Sequence, residues 1–135
     1  MGGQGTWADD VVMSGEGPFD RVYLQIGGGG LAASVALWIK RFWPQAQVIG
    51  VEGEGQVSMK AAIEAGEPVN LDYVDVFCDG TAVKKAGSLT YEICRDPMDG
   101  FITVSNDDFC HAVRVLWESA RCIPEQSGAM NSAGF

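Results

Sequence analysis

The feature that most constrains this chain is a run of four glycines, Gly27-Gly28-Gly29-Gly30, wedged between two apolar segments. Before it, Arg21-Val-Tyr-Leu-Gln-Ile26 is rich in β-formers, follows a Gly-Pro pair and predicts a strand. After it, Leu31, Val35, Trp38, Ile39 and Phe42 recur at three- and four-residue spacing, which predicts a helix over 31–43 stopped at Pro44. Flexible linkers are seldom pinned in this way. A turn without Cβ atoms lets the backbone close round a ligand, and the helix start that follows offers unpaired N–H groups and partial positive charge. The run therefore points to a phosphate-binding turn, with a tight turn lacking any ligand as the plain alternative.

The rest of the chain continues the alternation. Gln47-Val-Ile-Gly-Val-Glu52 predicts a second strand and 56–65 a short helix closed by Gly66 and Pro68. Tyr73-Val-Asp-Val-Phe77 predicts a third strand, 85–95 a helix ended by Pro97, and Phe101-Ile-Thr-Val104 a fourth strand. Ser105 with Asp108 three residues on is a capping box for a helix whose buried face is read as Phe109, Val113, Leu116, Trp117 and Ala120. A helix near Trp7–Met13 opens the chain, and the small residues after Gln126 form another at its end. Strands joined by helices imply parallel pairing with helices packed on the sheet, so the fold class is α/β. No internal repeat or linker appears, and residues 1–135 read as one unit.

Charge narrows the partners. With a net charge of −9, a nucleic-acid backbone or an anionic membrane would be repelled. No apolar stretch approaches the ~20 residues needed to span a bilayer, and the N-terminus has neither the basic start nor the apolar run of a secretory signal. Cys78, Cys94, Cys110 and Cys122 form no C-x-x-C pair and read as small buried side chains in a reducing cytoplasm. The lone histidine, His111, reads as a surface or packing residue rather than an acid-base group, Lys84 and Lys85 as solvated, and Trp38, Trp43 and Trp117 as core.

The glycines leave two phosphate chemistries open. Walker A is excluded, because no Lys-Ser/Thr follows the run. Gly28, Gly30 and Ala33 fit a G-x-G-x-x-G/A spacing, and Glu52 ends the next strand where a ribose-binding acid of a dinucleotide site would stand.

Gln25-Ile26-Gly27-Gly28-Gly29-Gly30-Leu31-Ala32-Ala33 also resembles the phosphate loop of fold-type II (tryptophan-synthase-β-like) pyridoxal-phosphate enzymes, and is most similar to the threonine dehydratases, or threonine deaminases. The likeness extends from Gly3-Gln4-Gly5-Thr6 through Val48-Ile-Gly-Val-Glu52, Ser58–Val69, Asp79–Lys84 and Ile102-Thr-Val-Ser105 to Glu125-Gln-Ser-Gly-Ala129. It implies an incomplete domain of that fold. It implies pyridoxal 5'-phosphate as cofactor, its phosphate held by Gly27, Gly28, Gly29, Gly30 and Leu31, with Asp79-Gly80 in a loop passing close to the ring and Glu125 near it, a helix-capping or surface carboxylate being the plain alternative for Glu125. Glu52 matches a carboxylate that supports a cation site in some relatives; Gln56 and Ser58 stand where those relatives offer further ligands, so no metal is expected. Ser34, Gly53 and Gln126 depart from the family's usual residues, the last loosening the turn after Glu125.

The resemblance also implies what the chain does not supply. The family's chemistry uses a lysine that forms a Schiff base with the cofactor aldehyde, and a serine at the ring nitrogen. Lys40, Lys60, Lys84 and Lys85 match no such lysine motif, and no catalytic residue is assigned. The expectation is a partial threonine/serine dehydratase domain, cytoplasmic and inactive alone. It would pair as a homodimer or with a complementing partner, and bind neither nucleic acid nor membrane. Two other classes compete: a dinucleotide-binding module of a small reductase, and a ligand-free self-associating domain.

Overall fold

The computed structural model describes residues 2–135. Among them, six helices and three strands follow in the order α1 (Gly2–Met13), β1 (Arg21–Gln25), α2 (Gly30–Phe42), β2 (Gln47–Gly53), α3 (Ser58–Ala65), α4 (Ser88–Cys94), β3 (Gly100–Val104), α5 (Asn106–Ala120) and α6 (Gln126–Ala133). All pairing is parallel in the order β1-β2-β3, with Val22 opposite Val48 and Val51 opposite Ile102. The α/β class and the helix-covered parallel sheet stand as expected.

Because side chains alternate across a strand, the sheet feeds two cores. Leu24, Ile26 and Val48 pack with Val35 and Ile39 of α2, Met59 of α3 and Cys94 of α4. On the opposite face Val51 and Val104 meet Phe109 of α5 and Met130 of α6. At Gly5 the two helices α1 and α2 are in ordinary van der Waals range, a Cβ there lying 3.7 Å from that of Ser34. The helix stops obey local chemistry: Trp43, before Pro44, is already non-helical, and Gly66 closes α3 in the left-handed region.

Several expectations need correction. Residues 73–77 are not a strand. Asp75 turns its carboxylate onto the N–H of Phe77 at 2.8 Å, and Tyr73 and Val76 stay 72% exposed, with no sheet neighbour to reward pairing. The helix expected over 85–95 starts only at Ser88, because Gly87 is extended. On α5 the buried residues are Phe109 and Ala112; Val113 and Leu116 are half-buried, while Trp117 and Ala120 are exposed. Trp38 is also exposed and Trp43, half-buried, packs against the first core, so none of the three is a buried core residue. Cys78 and Cys94 are buried as expected, whereas Cys110 and Cys122 are exposed. All four cysteines are free.

Candidate cofactor-phosphate site

The glycine run is the turn between β1 and α2. Ile26 donates its N–H to Val51 O at 3.0 Å, which ends the strand pairing, and the chain then swings into α2. Gly29 is the N-cap with φ 87°, a left-handed conformation that suits glycine. It also sits against the Met59 methyl and Thr90, where any Cβ would collide. No side chain caps this helix and no acid stands in its first turn. Among the described residues no acceptor takes the N–H groups of Gly28, Gly29, Gly30 or Leu31.

These amides border a cavity of ≈330 Å³ lined by Gln4, Gln25, Gly27–Leu31, Gly80, Thr81, Glu125 and Ser127. Separate elements thus converge on the turn. The loop carrying Gly80 is drawn in by Gln56, whose amide donates to Asp75 O (2.7 Å) and Cys78 O (2.9 Å) and accepts from Thr81 Oγ1 (2.8 Å). Two glycines make the convergence possible. A Cβ on Gly27 would stand 3.0 Å from Thr81 Cα, and one on Gly80 would stand 2.8 Å from Ser127 Oγ and 3.2 Å from Glu125 Oε1. By contrast, nothing lies within 4 Å of a Cβ at Gly28 or Gly30.

All six expected site residues, Gly27, Gly28, Gly29, Gly30, Leu31 and Glu125, therefore line one cavity. Of Asp79-Gly80, Gly80 lines it. Glu125 is the N-cap residue of α6, but its carboxylate does not cap that helix. Sequence reasoning missed Gln25, Thr81 and Ser127. Ser127 Oγ is buried without a hydrogen-bond partner in the protein, and no local pattern signals that. Such an orphaned donor and a row of free amides fit an anionic, oxygen-rich group.

Nearby titratable groups are inert or already engaged. The Cys78 thiol is pushed up to about 11 by burial and then by the negative charges of Glu125 and Asp75, so it is a poor nucleophile. Glu52, fully buried, accepts from Met59 N (2.8 Å) and Lys60 N (2.9 Å) and so closes the start of α3. Both its oxygens already accept from that helix start, and Glu52 does not line the glycine cavity. Burial raises its carboxyl to about 7, against the lowering pull of the two amides and of Lys60. The lysines stand elsewhere: none lines the cavity, and Lys40 pairs with Asp99 at 2.7 Å.

Comparison with known proteins decides the family. The model of the pyridoxal-phosphate dependent enzymes matches residues 1–135, the whole chain. The chain belongs to that family. Within it, the biosynthetic L-threonine dehydratase of Salmonella typhimurium is 45% identical over 135 residues, covering 100% of this chain and 26% of the relative. The processed form of threonine deaminase isoform 2 from Solanum lycopersicum superimposes with a TM-score of 0.94 at 37% identity over 98% of this chain and 38% of that one. The crystal structure of the T.th. threonine deaminase gives a TM-score of 0.90 at 32% identity, covering 97% of this chain and 48% of that one. The chain is thus a partial threonine-dehydratase-like domain of the fold-type II pyridoxal-phosphate enzymes, spanning about a quarter of the length of the curated relatives it matches. Among the described residues no helix is long and apolar enough to cross a membrane.

Proposed function

We propose that the glycine-lined cavity holds the phosphate of pyridoxal 5'-phosphate and that the chain serves as the cofactor cradle of a threonine/serine dehydratase. The observation that carries this reading is the open start of α2, where Gly28–Leu31, whose amides have no acceptor among the described residues, line a cavity shared with Glu125. Backbone donors aimed at an anion cost no reorganisation on binding, and the aligned peptides of α2 add favourable potential. Gly27 lets the Thr81 backbone close over the turn, and Ser127 Oγ offers a further donor. Glu125 supplies a carboxylate on the cavity wall, suited to holding the cofactor's ring end rather than its phosphate.

When bound, the cofactor supplies the electron sink that makes an amino acid's α-proton removable. The residues of this chain do the binding and orienting. No lysine of this chain borders the cavity, so a positioned amine must come from another segment or a partner. Without it the advantage of a held amine, up to ~7–11 kcal/mol, is forfeited. In this reading the chain, alone, binds cofactor without converting threonine to 2-oxobutanoate.

A cytoplasmic setting belongs to the same proposal, supported by four free cysteines. So does association through exposed Leu37, Trp38 and Phe42 of α2, either as a homodimer or with a complementing partner; a monomeric mass by light scattering in dilute solution would argue against it. The binding test is a titration of the 135-residue chain with pyridoxal 5'-phosphate, followed by protein fluorescence and repeated with inorganic phosphate as competitor. Saturable binding displaced by phosphate is expected. Binding of NAD with no response to pyridoxal phosphate would replace this reading by a dinucleotide one.

A further inference from the structure

Free amides hold an anion only if their peptide planes are turned the right way, and something must turn them. A trans peptide is planar, with its C=O and N–H pointing in opposite directions. Whatever grips the carbonyl of Gly28 therefore aims the N–H of Gly29. That grip is Thr90, in the first turn of α4: its Oγ1 lies 2.6 Å from Gly28 O. A weaker partner, Ser58 Oγ at the start of α3, lies 3.4 Å from Gly27 O and biases the N–H of Gly28 in the same way.

Neither Thr90 nor Ser58 lines the cavity, so both act from behind the turn. We propose that Thr90 is the positioning residue of the glycine turn, its hydroxyl locking the Gly28–Gly29 peptide so that the Gly29 amide faces the phosphate. This rests on the phosphate reading of the cavity. Thr90 is placed for the task from two sides. Its Cβ and Oγ1 stand 3.0 Å from where a Cβ on Gly29 would be, and Oγ1 also lies 2.9 Å from Gly87 O at the head of its own helix. A hydroxyl carries one proton, so these two carbonyls compete for it. The shorter contact is the one to Gly28.

A serine at 90 would keep the proton. A valine would put a methyl group against Gly28 O, leaving the carbonyl without its donor and forcing it to turn.

The test compares Thr90→Val, Thr90→Ser and the unaltered 135-residue chain. Each is titrated with inorganic phosphate and with pyridoxal 5'-phosphate while the amide ¹H signals of Gly28 and Gly29 are followed by NMR. In the unaltered chain phosphate should move the Gly29 amide proton downfield. Thr90→Val should lose that shift and bind both ligands about tenfold more weakly, the worth of roughly one hydrogen bond. Thr90→Ser should restore both, which a purely structural role of the threonine would not predict. A Thr90→Val chain with unaltered affinity and an unaltered Gly29 shift overturns the proposal. If the unaltered chain binds neither ligand, the phosphate reading itself falls; a crystal structure of Thr90→Val with the Gly28 carbonyl unmoved would then dispose of the locking role separately.

Discussion

Two helix starts in this chain solve the same problem in opposite ways. At α5, Ser105 and Asp108 close on each other: Ser105 N donates to Asp108 Oδ2 at 2.8 Å, and Asp108 N donates to Ser105 Oγ at 3.3 Å. Two acids in its first turn, Asp107 and Asp108, answer the positive end of the helix. At α2 there is no capping side chain, no acid, and a left-handed glycine in the cap position. The α3 start is intermediate, closed by Glu52 reaching in from the end of β2. A helix that satisfies its own amides is finished as architecture. One left bare, buttressed by neighbours and opening on a cavity, keeps its donors for a ligand.

The contrast can be broken most sharply at Gly28, which lines the cavity with room for a side chain. Gly28→Asp should leave the fold intact while placing a negative charge among the free amides. Affinity for phosphate and pyridoxal phosphate should fall by about a hundredfold or more in titration, as expected for a like charge in partly desolvated surroundings. If affinity is unchanged, the bare helix start is not the binding element.

Gly29 tests the opposite property, backbone strain. Gly29→Ala must hold a Cβ at φ 87° against Met59 and Thr90, and should cost about 3 kcal/mol in urea unfolding. A loss below ~1 kcal/mol would mean that the turn can relax and is less rigidly built than the cap geometry suggests.

Glu52 gives the intermediate case a pH signature. Its carboxyl lies at about 7 in the folded chain against an ordinary 4.5, chiefly because it is buried. Between those values the folded state keeps a proton that the unfolded state has released. Stability should therefore fall as pH rises through that window, by about 3 kcal/mol at most, and level off above it. Denaturant midpoints of the native chain and of Glu52→Gln, measured from roughly pH 4 to pH 8, should show this slope only in the native chain. An equal slope in both would remove Glu52 as its source.

The smallest effect belongs to the self-closed helix. Ser105→Ala should cost about 1 kcal/mol and leave phosphate affinity untouched, since the box faces no cavity residue. A change in affinity would show that the two helix starts are coupled.

How much of this was legible beforehand follows from the range of each interaction. The strand-glycine-helix turn, the stop at Pro44 and the Ser105–Asp108 box are settled within a few residues, by apolar periodicity, by proline's fixed backbone and by a hydroxyl reaching the third amide. They could be read directly. Tyr73–Phe77 looked like a strand by composition, but a strand needs a ladder, and the bond from Asp75 N to Gly55 O, past the end of β2, does not extend the sheet. Trp117 fell on a helical stripe, yet how much of the stripe is covered depends on what packs over it.

The sequence by itself determined the alternation of elements, the α/β class, the open glycine turn and the family likeness, because backbone preference and apolar spacing are local. Only the tertiary structure decided that Gly80, Glu125 and Ser127 meet Gly27–Leu31 across one cavity. It alone placed Glu52 at the head of α3 and set Thr90 behind Gly28, 62 residues away in the chain. Those contacts arise where separate elements are pressed together by two cores on opposite faces of one sheet, and no short stretch of residues carries that information.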